Sequence, residues 1–343
     1  MIMRLPGIYE ERLSRSRDGE TEINIFLIPG RHGERSLMID AGFKDRKCLA
    51  QMERALSCLD ITYDKLDIFL THKHHDHSGL ASEYAELGAR ILMNPEENRH
   101  HYDCLYYNND KNPEEEQYRV LRSVGVTPEK TPEIWEMFME IRRRVKENKG
   151  WEFEVTGFPY LPVRQGQKLC YGNYEFEVVP LKGHTYGQMG LYEAKQHMLF
   201  SADQVIDGIV PIVGTTFPDE HLLAGYLSSL NQFLRQYKNC MLLPAHNEPI
   251  WDVKRVVNRI LYAYNEKVEL MRQILYRSRR EMTVRQVACI AYGMGEIPED
   301  TKEFVKLKMV MSKTFSCLEY LRDRDLAIRS ERDGTFYWQS AEL

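Results

Sequence analysis

Apolar and polar positions alternate early in the chain and mark strands. Residues 22–28 (Glu22-Ile23-Asn24-Ile25-Phe26-Leu27-Ile28) and 36–40 (Ser36-Leu37-Met38-Ile39-Asp40) flank a turn at Pro29-Gly30. They predict a hairpin with a loop longer than two residues. Helical spacing follows over 47–59. Short apolar runs at 66–70 (Leu66-Asp67-Ile68-Phe69-Leu70) and 89–93 then read as strands. Residues 78–87 have helical spacing with Ser78 as the N-cap, which places 71–77 in a loop between a strand end and a helix start. Interleaved strands and helices predict an α/β layered domain.

Residues 95–150 change character. They are polar and charged, with Ile134, Phe138, Ile141 and Val145 on one helical face and Tyr102, Tyr106 and Tyr107 near the start. The pattern predicts a mostly helical insertion. Strand patterning returns at Tyr174–Pro180 and Met198–Phe200, a helix is expected over 219–237, and Cys240–Leu243 reads as a last strand. From Trp251 the chain is helical over 256–276, 283–292 and 304–321. Two strand-like runs then flank Asp333-Gly334, a strong hairpin signal. Helices ending in a hairpin are the pattern of a winged helix. The expected division is a catalytic domain over 1–250, carrying the insertion, and a small domain over 251–343.

Composition narrows the class. At 343 residues the chain can hold two domains, and its 43% hydrophobic content is that of a globular protein. No run approaches the roughly 20 apolar residues of a membrane span, and Met1–Gly7 lacks the apolar segment of a signal peptide. The seven cysteines are scattered and none forms a CxxC pair, so the expected compartment is a reducing cytoplasm. Net charge of −5 argues against a generic nucleic-acid binder. The tilt is uneven: residues 252–343 hold 17 Lys+Arg against 14 Asp+Glu, a net of +3, and the first 251 carry −8.

Candidate chemistry is concentrated in Thr71-His72-Lys73-His74-His75-Asp76-His77-Ser78-Gly79. Four metal-capable side chains (His72, His74, Asp76 and His77) fall within six positions. Imidazole and carboxylate ligands suit zinc, iron or manganese. Three further candidates each follow a strand-like run: Gly183-His184-Thr185, Ser201-Ala202-Asp203 and Pro244-Ala245-His246. Ligands delivered from strand ends converge on one rim of a sheet. One tetrahedral zinc needs four ligands, so five His and two Asp are better explained by two metals sharing a bridging carboxylate. His75, His100, His101, His197 and His221 read as surface or structural histidines, and His32 as part of an exposed turn. Arg142-Arg143-Arg144 with Lys146 reads as a solvated helix face rather than an anion site.

His-x-His-x-Asp-His at 72–77, Gly-His-Thr at 183–185, Ala-Asp at 202–203 and His246 after a strand together resemble the metallo-β-lactamase superfamily. The resemblance covers roughly residues 20–250 apart from the insertion. It implies an αββα sandwich. It implies that His72, His74 and His184 hold one metal and Asp76, His77 and His246 a second, with Asp203 bridging. Asp40 matches the family's strand-end Asp that supports the metal loop. Two divalent ions are the implied cofactors, zinc first, with iron or manganese as alternatives. They would lower the pKa of a bridging water from about 15.7 to about 7, and Asp76 would orient that water and pass a proton to the leaving group.

Residues 252–338 resemble the carboxy-terminal appendage of the β-lactamase-like-2 branch, which contains hydrolases and endoribonucleases, beside the glyoxalase II-like members of the fold. The expected reaction is hydrolysis of a thioester or related ester of a small molecule, with the insertion roofing the site. The alternative is a metal-dependent nuclease using the winged-helix segment. A redox role is disfavoured because diiron reductases of this fold usually carry Glu where His74 stands. Tyr186, Ala202 and Asn247 depart from the family's usual Pro, Gly and Gly beside the ligands. No membrane partner is expected, and a homodimer is left open.

Overall fold

The computed structural model describes residues 1–15, 22–31, 33–98, 113–147, 150–153, 157–215 and 217–342. Tyr102, Tyr106 and Tyr107, with His32, His100 and His101, lie outside the described residues. The chain begins with β1 (Ile2–Leu5), β2 (Ile8–Ser14), β3 (Glu22–Ile28), β4 (Ser36–Ile39), α1 (Arg46–Cys58), β5 (Leu66–Leu70), α2 (His75–Ser78), α3 (Ala81–Glu86) and β6 (Arg90–Met93). It continues through α4 (Pro113–Ser123), α5 (Pro132–Glu147), β7 (Tyr160–Pro162), β8 (Lys168–Tyr171), β9 (Tyr174–Pro180), β10 (Met189–Glu193), β11 (Met198–Ala202), α6 (Leu222–Gln236) and β12 (Met241–Pro244). Last come α7 (Val253–Ser278), β13 (Met282–Thr283), α8 (Val284–Tyr292), α9 (Thr301–Arg322), β14 (Ala327–Arg332) and β15 (Thr335–Ser340). No helix among the described residues is long and apolar enough to cross a membrane.

Two compact units are formed. One comprises Met1–Asn108, Trp151–Pro211 and Ser229–Val257; the other comprises Asn109–Gly150, Ile212–Ser228 and Asn258–Leu343. The inserted helices α4 and α5 thus group with the carboxy-terminal helices.

The first unit is a sandwich of two sheets. Seven strands run in the order β1-β2-β3-β4-β5-β6-β7, and five in the order β12-β11-β10-β9-β8. Phe26, Ile39, Phe69 and Leu92 of the first sheet pack on Phe176, Val178, Leu191 and Phe200 of the second. Phe200 meets Phe26 at 5.0 Å and Phe176 at 5.8 Å between ring centroids. Each fully buried side chain of this size stabilises the fold by about 1.5–3 kcal/mol. The outer face of the seven-stranded sheet is covered by α1 and α3. Met52 and Leu56 of α1 and Ala81 and Tyr84 of α3 pack on Ile23, Ile25, Met38 and Ile68. Asp45 caps α1 through the amides of Lys47 and Cys48. Outside the five-stranded sheet, Tyr237 past the end of α6 meets Tyr192 of β10 at 5.3 Å. This is the expected αββα arrangement.

Strand direction decides where side chains can meet. β4, β5, β6 and β7 are mutually parallel, so their carboxyl ends share one edge. β9 is antiparallel to β10 and β10 to β11, while β11 is parallel to β12. Hence β9, β11 and β12 also point one way. Two backbone bonds tie the edges together: Asn24 N donates to Ala245 O at 2.7 Å and Met189 N to Thr71 O at 2.9 Å.

One local expectation is corrected. Ser78 is not an N-cap: α2 starts at His75, and Ser78 ends it, its hydroxyl donating back to the carbonyls of His74 (2.8 Å) and Lys73 (3.0 Å). Back-bonding of this kind satisfies the serine inside a helical turn. Asp76 and His77 therefore sit on a helical turn, and only His72 and His74 on the loop.

In the second unit α8 opens with a capping box between Thr283 and Gln286. β13, β15 and β14 form a small sheet, in that order, and Trp338 of β15 is fully buried against Phe315 of α9 at 6.0 Å. Asp333 (φ 52°) and Gly334 (φ 73°) form the two-residue turn that such left-handed positions demand. Phe138 of α5 contacts Phe304 of α9 at 6.4 Å, which accounts for the grouping of the insertion with these helices. Arg144 and Arg143 pair with Glu140 on an exposed helix face, and Arg142, half-buried over Tyr118 and Phe138, donates to Gln117 at 2.6 Å. His221 is exposed and bonds Asp323 at 2.6 Å, and His197 lies in an exposed turn.

Glu319 of α9 is 1% exposed. One oxygen accepts from the Asp219 amide at 2.5 Å, and Oε2 has no hydrogen-bond partner. Burial pushes its pKa from 4.5 up to about 7. The native chain thus keeps a proton that the unfolded chain releases above about pH 4.5, and stability declines as pH rises towards 7. Glutamine mimics the protonated form. Glu319→Gln should therefore leave stability at pH 4 near wild type and raise it at pH 8 by about 3 kcal/mol, read by urea unfolding at both pH values.

Candidate metal centre

All seven metal-type side chains singled out from the sequence come together at the shared carboxyl edge of the sandwich. His72 and His74 follow β5, Asp76 and His77 lie on α2, His184 follows β9, Asp203 follows β11 and His246 follows β12. They form two groups whose candidate ligand atoms are mutually close: His72, His74, His184 and Asp203, and Asp76, His77 and His246. His75 is exposed and belongs to neither.

In the first group, His74 Nδ1 lies 2.9 Å from His72 Nε2 and 3.0 Å from His184 Nε2. His184 Nε2 is 3.4 Å from Asp203 Oδ2. In the second, Asp76 Oδ2 is 3.3 Å from His246 Nε2 and 3.7 Å from His77 Nε2. Bond lengths of about 2.0–2.1 Å in a tetrahedron place ligand atoms roughly 3.3 Å apart. The other Asp203 oxygen, Oδ1, faces the second group, 3.6 Å from His77 Nε2 and 3.5 Å from His246 Nε2. His77 Nε2 and Asp203 Oδ1 are buried and lack hydrogen-bond partners. Such orphaned atoms are costly unless a cation satisfies them. The residues fit a metal.

The charge state fits as well. Burial, then the neighbouring His77, His74 and His184, hold His72 well below the ordinary histidine value. Burial and His184 push His74 down to about 3. Both present neutral lone pairs. Burial opposes ionisation of Asp203, but His246, His77 and His184 outweigh it and keep its carboxyl low. Asp76 is kept low against burial by His77 and His246. Burial would lower His77, yet Asp40, Asp76 and Asp203 raise it. Against burial, Asp203 and Asp76 raise His246. Protons on these two rings compete with a cation for the same nitrogens.

Supporting bonds fix the rings. Asp40 Oδ2 lies 2.8 Å from His77 Nδ1, and Asp40 Oδ1 accepts from the Thr71 amide at 2.8 Å and its hydroxyl at 2.9 Å. The same hydroxyl lies 3.0 Å from His72 Nδ1. Asp40, Ala202 and Asn247 have φ of 64°, 46° and 66°, each at or beside the site. Left-handed backbone at non-glycine residues costs about 1–2 kcal/mol. It explains why glycine is the commoner neighbour at 202 and 247.

Sequence reasoning missed Thr71, Asn24 and Glu97. Asn24 Nδ2 donates to Pro244 O at 3.1 Å and Asn247 O at 2.7 Å, anchoring the turn that carries His246. Its signal was a polar residue inside the apolar run Ile23-Asn24-Ile25. Thr71 adjoins the cluster and could have been read as its support. Glu97 offered no local signal.

A two-sheet αββα sandwich with His and Asp donors gathered at one edge defines a class of metal-dependent hydrolases. The chain belongs to the metallo-beta-lactamase superfamily, whose family model matches residues 18–246. Among solved structures, it is similar to a metallo-beta-lactamase family protein from Thermus thermophilus (21% identity, TM-score 0.77), with 98% of this chain and 99% of that one covered. It is also similar to a beta-lactamase domain protein from Burkholderia ambifaria (18% identity, TM-score 0.77), covering 99% and 94%. No curated protein matches the sequence.

Asparagine at position 40 would set an amide against the His77 ring and disturb its tautomer. Asp40→Asn should weaken metal binding by about 10–100-fold, read by calorimetric titration of the metal-free protein with zinc.

Proposed function

We propose that the chain is a binuclear metal-dependent hydrolase cleaving a thioester or related ester of a small molecule. The observation that carries this reading is the division of Asp203, with one oxygen towards His184 and the other towards His77 and His246. That arrangement supports two divalent ions, zinc first, with Asp203 between them. A bound metal pair supplies an activated water and polarises the carbonyl under attack.

The chain's own residues do the rest. His72 and His74, neutral through burial, donate lone pairs. Asp76, ionised and with a side chain 23% exposed, is placed to accept a proton from water and return it to the leaving group. Held low, its carboxyl is a weak base and is seldom protonated near neutral pH, so it gives a leaving group little assistance. A thiolate, with a pKa of about 8.5 as a free thiol, leaves with little help, whereas an alkoxide does not. This favours a thioester over an ordinary ester.

The nuclease alternative draws on the net positive carboxy-terminal segment, but four of its arginines are engaged. Arg322 and Arg329 pair with Asp219, Arg332 with Glu281 and Arg272 with Glu269 and Glu342. Neutralised arginines offer little to a phosphate backbone. A cytoplasmic location suits the described cysteines, all unpaired.

Metal analysis of purified protein should find close to two equivalents of Zn, Mn or Fe. One preparation should then hydrolyse acyl-CoA or glutathione thioesters and leave single-stranded RNA intact. A single equivalent with Asp76→Ala fully active would overturn the two-metal reading. RNA cleavage abolished by His74→Ala would overturn the thioesterase reading.

A further inference from the structure

Glu97 lies in the short helical turn Pro95–Asn98 that follows β6, and it is 2% exposed. It bears no candidate ligand atom. Oε2 accepts from the amide of Lys73 at 2.8 Å. Oε1 accepts from the hydroxyl of Thr185 at 2.7 Å and from the amide of Gly187 at 2.6 Å. Lys73 stands between His72 and His74, and Thr185 follows His184. A single buried carboxylate therefore joins the two chain segments that carry His72, His74 and His184.

The surroundings hold this clamp in register. Asn94 Nδ2 donates to Gly187 O at 2.7 Å, and the Glu97 amide bonds Asn94 O at 3.1 Å. A Cβ at Gly187 would fall 2.8 Å from Glu97 N and 2.9 Å from the Glu96 carbonyl carbon. Only glycine permits that approach. A backbone bond from Met189 N to Thr71 O at 2.9 Å joins residues just beyond the two segments, and His184 Nε2 lies 3.0 Å from His74 Nδ1. The backbone amides of Lys73 and Gly187, one on each segment, are thus both held by this one carboxylate.

We propose that Glu97 is a positioning residue for the first metal group: its two oxygens set the separation of the His72–His74 loop from the His184 loop, and so the affinity and coordination geometry of the ion these three histidines hold. The inference rests on the metal-binding reading above. It bears first on that group, since among the described residues the bonds of the Glu97 carboxylate go to Lys73, Thr185 and Gly187, which flank His72, His74 and His184.

Three donors converge on two acceptor oxygens, so glutamine cannot replace glutamate. In Glu97→Gln the amide group must face the Lys73 amide or the Gly187 amide, donor against donor. One of the two loops is released, while size and burial are retained.

Cobalt(II) is the probe. Metal-free wild type and Glu97→Gln are titrated calorimetrically and by visible ligand-field absorption, with His74→Ala and His246→Ala identifying the band of each group. The expected result is two equivalents in wild type. In Glu97→Gln, the equivalent lost in His74→Ala should be about 10–100-fold weaker with a changed band, and the equivalent lost in His246→Ala unchanged. A folded variant with both affinities and both bands as in wild type overturns the proposal. So does a lowered metal-free melting temperature with unaltered cobalt binding, which marks a merely structural bond. Should Glu97→Gln not fold, Thr185→Val removes one donor from the same oxygen. It should weaken the same equivalent, and unchanged affinity there also overturns the proposal. A wild type that takes up no cobalt fails earlier, overturning the metal reading itself and this inference with it.

Discussion

The Asp40 carboxylate is the interaction on which the site depends. It stands at the carboxyl end of β4 and takes hydrogen bonds from the amide and hydroxyl of Thr71, at the end of β5, and from the His77 ring on α2. Three elements are thereby locked at one sheet edge by one buried anion. A buried charge is tolerated only when every lone pair is engaged. Here the partners are the backbone and rings that must be immobile for metal chemistry. The left-handed backbone at Asp40 is part of this cost, and the bonds it makes offset it.

Strand direction extends the arrangement to the second sheet. Because β9, β11 and β12 run the same way, His184, Asp203 and His246 arrive at one rim without long excursions. The apolar core around Phe26, Phe176 and Phe200 fixes the two sheets against each other just beneath that rim. Packing of this density transmits little slack. The ligand separations of about 3 Å are in this sense a property of the sheet interface as much as of the loops.

Much of this was legible in the chain. The dense run 72–77 and the apolar strands before His184, Asp203 and His246 are local signals, and each marks a strand end. Period-two and helical spacing likewise recovered the hairpin at 22–40, the helices expected over 256–276, 283–292 and 304–321, and the Asp333-Gly334 turn. What escaped was long-range. Asn24, Glu97 and Thr71 act through partners up to 223 positions away, and no local pattern distinguishes a buried clamp from an ordinary polar residue. Ser78 misled because serine before an apolar run usually caps, whereas here its hydroxyl turns back on the preceding carbonyls. The grouping of α4 and α5 with the carboxy-terminal helices arises from contacts such as Phe138 on Phe304, which spacing along the chain cannot encode.

The uneven spread of the donors along the chain bears on folding. Four of the seven lie within positions 72–77, and His246 follows His72 by 174 residues. The clustered four stay near one another even in a disordered chain, so the unfolded ensemble retains some affinity for the ion. By mass action, that residual affinity subtracts from the stabilisation an ion confers on the native state. Only the later arrival of His184, Asp203 and His246 turns a loose chelate into a committed site.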